Sequence, residues 1–537
     1  MKITQVLKAV ATAGALALFM ASAAQAVTLN LGNGSEPGSI DPHKASGDWE
    51  DRIVGELFEG LVADDVHAKP IPGQAESWTV SDDGLVYTFK IRADAVWSDG
   101  QPVVAQNWVD AFQRLFDPKT ASDYAYLQYP IKNSSKIGSG EITDFSQLGV
   151  KAIDDKTLEI TLESPTPYFI GALTHYTAFP VRKDIIEKFG DQWTQPENIV
   201  GNGPYKLVEW VPGSYLRGVK SDTYYGKDSL KIDEIKWDNT EDLTAALNRY
   251  RAGELDILTD FPADQYKFLQ DNYPGQARVA PFLGIYYYVL NQEKPPLDNV
   301  NVRKALSISV LRDVIGPDVL GTGELPAYGW VPPGTSNYEG EQYLPEWSKQ
   351  PYDQRVEEAK KLMAEAGYTP ENPLKLQLRY NTNENHQRIA VAIADMWKQI
   401  GVEVELFNAE TAVHYDALRA GDFNVGRAGW LLDYDDPSNT LDLLKSGVMQ
   451  EGAMNWGNNY GRFSDPKFDE LMNQAANELD LTKRAALMHE AETLAMESFA
   501  AIPIYWYVSK NVVSPKISGF EASARDTHRV RWMSKSE

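Results

Sequence analysis

The chain has 537 residues, 43% hydrophobic and 24% charged, long enough to bury roughly two or three cores and too apolar to be disordered by composition. Its formal charge is -25, which disfavours nucleic acid and anionic membrane surfaces as partners. It has no cysteine, which excludes disulfides, thiolate nucleophiles and Cys-ligated metals.

At the N-terminus, Lys2 and Lys8 precede the apolar run AVATAGALALFMASA and then Ala24-Gln25-Ala26, a small-x-small cleavage pattern. This predicts a secretory signal over residues 1–26. Its removal near Val27 leaves 49 Lys+Arg against 76 Asp+Glu, a charge of -27. An uncleaved membrane anchor is the alternative, and the short apolar run argues against it. With no Cys to lipidate, the expected location is the periplasm, in free solution.

Further along, YRAGELDIL at 250–258 echoes LRAGDFNVG at 418–426, each reading as helix, Arg-Ala-Gly turn and strand. From 353 to 430 the pattern is clearer. Asp353 is placed as the cap of a helix with apolar positions Val356, Ala359, Leu362, Met363 and Ala366, closed by Gly367. A strand alternates through Leu374, Leu376 and Leu378. A helix with Ile389, Ile393, Met396, Trp397 and Ile400 ends at Gly401, and a second strand alternates through Val402, Val404 and Leu406. A short helix closes at Gly421, and Phe423 and Val425 open a third strand. Strands alternating with helices predict an α/β fold with a parallel sheet, and ligands bind such sheets outside the carboxyl ends of their strands. One such end is RAGWLLDYDDP, Arg427 to Pro437. The echo predicts a second lobe whose strand end, Thr259 and Asp260, faces the same cleft, so that two lobes could close as a trap.

Catalytic motifs are missing: the sequence has no GxSxG, GxxxxGK[ST], GxGxxG or HExxH. The seven histidines lack ligand spacing, and Pro437 breaks any EF-hand reading of Asp433, Asp435 and Asp436. Asp435 and Asp436 read as a solvated turn. Asp433, beside the apolar strand, is the least easily left unpaired.

Several blocks in order, among them GNGSEPGSIDPHKASGDWEDRIVGELFEGL, NGPYKL, NQEKPPLDNVNVRKAL and RAGWLLDYDDP, resemble the periplasmic oligopeptide-binding proteins of ABC peptide importers, in family 5 of the extracellular solute-binding proteins. The resemblance runs from about Thr28 to the C-terminus. It implies a two-lobed periplasmic binding protein fold with an additional third domain: residues 27–58, 183–283 and 502–537 as one discontinuous lobe, 59–182 as the extra domain, and 284–501 as the opposing lobe. It also implies that Asp433 pairs with the peptide's α-amino group. Gly429, Trp430 and Leu431 would bond the peptide main chain, with Ser46, Gly47 and Asp48 facing them. Arg427 and His386 match positions that meet the peptide carboxylate, His386 having an exposed helix-start residue as its alternative reading. Asp260 is a further cleft candidate, and Tyr287 is expected on the ligand side, with Tyr286 and Tyr288 as packing residues.

The sequence departs from the family pattern at Leu320, Leu418 and Ser46, and a disulfide of some relatives is replaced by Gly284 and Leu431. The expectation is a monomeric, non-enzymatic receptor that captures short peptides and hands them to an inner-membrane permease, with no cofactor and no metal. Murein peptides or another small solute are the alternative cargo. An exported hydrolase is the competing class, and peptide turnover would reveal it.

Overall fold

The computed structural model describes residues 26–450 and 453–536. The signal expected over residues 1–26 therefore lies, Ala26 aside, outside the described residues. Among the described residues no helix is long and apolar enough to cross a membrane.

The organising element is one eleven-stranded sheet built on two long antiparallel strands, Ala277–Leu290 and Ala501–Val513. Their cores, FLGIYYYVL and AIPIYWYV, are rich in the aromatic and β-branched residues that suit a pleated surface. Pairing runs from Ala277 to Pro281 against Val512 to Val508, then shifts register before resuming at Ile285 opposite Trp506. Pro281, which has no N–H to give a ladder, stands at that shift.

The shift divides the sheet. On one side lie Ile257–Leu258, Thr28–Gly32, Glu234–Asp238, Tyr215–Lys220 and Tyr205–Val211. On the other lie Val425–Leu431, Leu374–Asn381 and Val402–Ala409. The last three are mutually parallel, as their alternation with the helices Glu384–Lys398 and Thr411–Ala420 predicts. Gly401 and Gly421 close these helices at φ +80° and +72°. The first helix of this run is Tyr352–Glu365 with Pro351 at its cap, so Asp353 sits in the first turn and is not the cap.

A separate antiparallel sheet, ordered Ala75–Val80, Val86–Ile91, Thr157–Thr161 and Val150–Asp154, is covered by the helix Ala105–Phe116. That helix turns Trp108, Val109, Phe112, Leu115 and Phe116 inward at helical spacing. Its apolar core is continuous with that of Leu29, Ile53, Leu57, Leu216 and Trp237 on the first side of the large sheet. The second side has its own cores.

Candidate ligand cleft

The strand Val425–Leu431 pairs along its whole length with Gly284–Leu290, but on its other edge with Leu378 and Arg379 only at Val425 and Gly426. Among the described residues that edge carries no strand beyond Gly426. The Leu432 N–H donates to Leu283 O and the Asn291 N–H to Asn424 O, so even-numbered residues turn their main-chain groups into the sheet. The alternation of an antiparallel ladder then aims those of Gly429 and Leu431 outward. Two adjoining cavities, of 230 and 140 Å³, lie against this open edge and share Asp48, Trp49, Tyr415, Gly429 and Leu431 as walls. Together they form a cleft between the two sides of the sheet.

Asp433 lies in the smaller cavity, two residues past the strand. Asn439 fixes it from both ends: its amide donates to Oδ2 at 3.1 Å, and its oxygen accepts from the Asp433 N–H at 3.1 Å and from Trp430 Nε1 at 2.8 Å. His175 Nε2 stands 3.4 Å from Oδ1, but burial lowers the pKa of that imidazole to about 3, so it is neutral. The nearest guanidinium, Arg525, is spent on the Asp433 main-chain oxygen and on Asp64. Burial therefore dominates and pushes the Asp433 pKa up to about 7. This carboxyl is positioned by its neighbours, and among the described residues no Lys or Arg side chain forms an ion pair with it.

Arg427 lines the larger cavity and shows the opposite deficit. Its guanidinium donates to Asn381 Oδ1 and Tyr415 Oη, each at 3.1 Å, and to Tyr507 Oη at 2.6 Å, and it lies 4.8 Å from the Tyr286 ring centroid. Among the described residues no carboxylate forms an ion pair with it. A Cβ on Gly429 would come within 2.9 Å of Arg427 Nη2 and 2.4 Å of Tyr507 Oη. Glycine at that position is what lets the guanidinium fold along the strand edge toward Asp433. Period-two alternation puts Arg427, Gly429, Leu431 and Asp433 on one face.

The other expected residues divide. Ser46, Gly47 and Asp48 line the smaller cavity opposite the strand, but the Ser46 and Gly47 N–H groups already donate to Glu50 Oε2 at 2.5 and 2.9 Å. Facing strand-like pairing through those donors is therefore not available. Asp260 lines the larger cavity, 3.9 Å from Lys510 Nζ. His386 also lines it, but neither sequence reading fits. It is only 8% exposed, and burial, with Arg427 next in effect, holds its pKa well below the usual range, so it is neutral and not a cation. Tyr287 is a correction: it lines neither cavity and packs edge-on to Trp330 at 4.6 Å. Tyr286, on the opposite face, is the one that meets Arg427. Asp436 is a second correction, being fully buried in a two-point ion pair with Arg484 at 2.8 Å for both bonds. Asp435, exposed, accepts from Ser336.

Sequence reading missed His175, Asn439, Tyr507 and Lys510. Asn439 alone is close to Asp433 in the chain, six positions beyond it in the polar run DDPSNT.

A cleft between two sides of one sheet, with a main-chain edge and unmatched charges left open, suits a solute-binding protein. The family model of the bacterial extracellular solute-binding proteins, family 5 Middle, matches residues 69–451, and the chain belongs to that family. It is 42% identical over 503 residues to the periplasmic oligopeptide-binding protein OppA of Escherichia coli (strain K12), covering 93% of this chain and 90% of that protein. The structure of Haemophilus influenzae OppA in complex with RPPGFSPFR superposes with a TM-score of 0.90 at 36% identity, covering 95% of this chain and 99% of that one. The Escherichia coli murein tripeptide binding protein MppA gives 0.90 at 37%, with the same coverage. Its unliganded open form, at the same 37%, gives 0.66. Identity being equal, that drop reflects lobe arrangement, and the present structure is far from the open one.

Proposed function

We propose that this chain is the periplasmic binding component of a peptide ABC importer, holding a short extended peptide with its amino group on Asp433 and its carboxylate toward Arg427. The observation that carries this reading is the pair of opposite, unmatched charges at the two ends of one open strand edge. A zwitterionic peptide supplies an ammonium, a carboxylate and a main chain between them, which is what the edge lacks. The peptide would run antiparallel to Val425–Leu431 and bond Gly429 and Leu431. Because the Arg427 guanidinium reaches the level of Gly429, the charges are separated by about four residues, roughly 13 Å of strand. That span suits peptides of about three or four residues.

On this reading residues 27–58, 183–283 and 502–537 form one lobe and 284–501 the other, with 59–182 as the extra domain. The lobes close on the peptide, which the permease then receives. The mature protein works as a monomer in the periplasm, released from its signal and free of lipid, and carries its ligand unchanged. The similarity to MppA keeps murein peptides as a second cargo.

Calorimetry with trialanine and N-acetyl-trialanine tests the assignment. The acetylated peptide should bind at least tenfold more weakly, because it offers Asp433 no ammonium. Equal affinities would remove Asp433 from this role, and adding the murein tripeptide to the series separates the two cargoes.

A further inference from the structure

A further cavity lies outside the cleft. It measures 570 Å³, within the ordinary range of small-molecule pockets, roughly 300–1,000 Å³. One wall comes from the segment 122–168 and the other from 438–488. The core that joins residues 59–182 to Leu29, Ile53 and Trp237 does not extend to the second wall. The two walls meet instead across a seam with a buried core of its own, in which Tyr124, Leu127 and Ala172 share one apolar cluster with Leu441, Tyr460, Phe468 and Met488. Tyr124 stacks on Trp430 at 5.6 Å and Tyr168 on Tyr434 at 4.5 Å, both within 5° of parallel. Asn458 Nδ2 donates to Tyr126 Oη at 3.3 Å, and Ser164 Oγ donates to Ala476 O at 3.2 Å. The cavity is thus a space between two bodies, present when they are closed together.

Its lining has a definite chemistry. Tyr126, Tyr168 and Trp456 offer ring faces, and Met472 and Met488 offer thioethers. Three carboxylates line it: Asp123, paired with Arg419 at 3.2 Å, Glu163, which accepts from the Asn133 N–H, and Asp442. The nearest cation to Asp442, Lys445 Nζ, stands 3.7 Å away, while Arg484 is taken up by Asp436. Burial, with Asp436 as a neighbouring like charge, pushes the Asp442 carboxyl above its ordinary range despite Lys445. A carboxylate set among aromatic faces, its one ion pair being with the half-exposed Lys445, recognises an ammonium on an apolar body that takes the place of that side chain.

We propose that this seam cavity is a second ligand site, taking a small amphipathic amine with its ammonium on Asp442 and its body among Tyr126, Trp456 and Met472, and that filling it favours the closed protein. The second clause rests on the closing two-lobed receptor proposed above. A ligand whose contacts come from both bodies binds best when they are together, so by linkage it tightens the grip on the peptide by the same factor that the peptide tightens the grip on it.

Tryptamine and indole-3-propionate, sharing a ring system and opposite in charge, are the probes. Each is titrated by calorimetry into wild type, Asp442→Asn and Trp456→Ala, with and without saturating trialanine. Tryptamine should bind, and at least tenfold more tightly to the trialanine-loaded protein. Indole-3-propionate should not bind. Each substitution should weaken tryptamine at least tenfold while leaving trialanine affinity, measured without tryptamine, within twofold. Loss of tryptamine binding on adding trialanine would place the amine in the cleft and overturn the site, as would equal binding of the acid or indifference to both substitutions. Failure of trialanine to bind would instead overturn the peptide reading, and the substitutions in peptide-free protein would still decide the cavity.

Discussion

Asp433 and Asp436 stand three residues apart, both in buried surroundings, and are treated in opposite ways. Asp436 is matched by Arg484 with two charge-assisted bonds and also caps Ser438 N. Asp433 is held by an amide and a neutral imidazole and faces a cavity. A buried charge is tolerated when it is paired, and a fold that leaves one unpaired reserves it for something that comes and goes. On the proposed reading Asp433 costs folding stability in the service of binding, whereas Asp436 supports folding, and substitutions should separate the two.

The largest effect should come from breaking the matched pair. Arg484→Ala leaves Asp436 buried without a partner and should lower unfolding stability by roughly 3–5 kcal/mol, read by urea denaturation. A loss below about 1 kcal/mol would mean that the pair is dispensable.

Asp433→Asn should do the reverse, costing about 2–4 kcal/mol of trialanine affinity while the protein stays folded. The sign on stability also differs. The folded pKa of Asp433, about 7, lies above its ordinary 3.8, so ionising it costs the peptide-free protein stability from near pH 4 upward, in full above pH 7. The Asn variant escapes that cost and should be more stable than wild type at pH 8, by about 1 kcal/mol, and no more stable at pH 3. Equal gains at both pH values would detach the effect from ionisation.

A third contrast lies between the two ends of the cleft. Arg427 keeps its charge throughout the accessible range, whereas Asp433 titrates within it. An ammonium partner lowers the Asp433 pKa, so affinity should be full just above pH 7 and fall as the pH drops through it. Trialanine should bind about tenfold more weakly at pH 5.5 than at pH 7.5, and Asp433→Asn should flatten the profile. A flat wild-type profile would show that the carboxyl does not meet the ammonium.

The smallest effect concerns length. With His386 neutral and Lys510 held by Asp260 and Glu324, Arg427 is a cation free of any ion pair among the described residues and set beside the open edge. Across alanine peptides of two to six residues, affinity should peak at three or four and fall severalfold at either extreme. Uniform affinity would show that the carboxylate has no fixed partner.

Much of the fold was legible because its signals are local. Alternation at Leu374–Leu378 and Val402–Leu406, and glycines at 401 and 421, report strands and helix ends through short-range sterics. The long strands Ala277–Leu290 and Ala501–Val513 are buried on both faces at their centres, which hides the alternation that would orient them. Tyr287 was misplaced for the same reason: period two separates it from Tyr286 and Tyr288 but does not say which face is the cleft. Asp433 stood out as a charge beside an apolar strand, and the family resemblance supplied its role. His175, 258 residues earlier in the chain, and Lys510 reach the cleft only through tertiary packing, for which spacing in the sequence carries no signal. The ion pair of Asp436 with Arg484 was invisible for the same reason.

The register shift at Pro281 has a mechanical consequence. The long strands Ala277–Leu290 and Ala501–Val513 each run through both sides of the large sheet, and they are hydrogen-bonded to each other on either side of the interruption. Such a ribbon resists stretching and sliding, because either would break a ladder of bonds at once, but it twists easily where the ladder is already interrupted. In the closing receptor proposed above, such a ribbon would act as a torsion strip, its two register shifts, after Pro281 and after Tyr286, marking where the backbone gives way first.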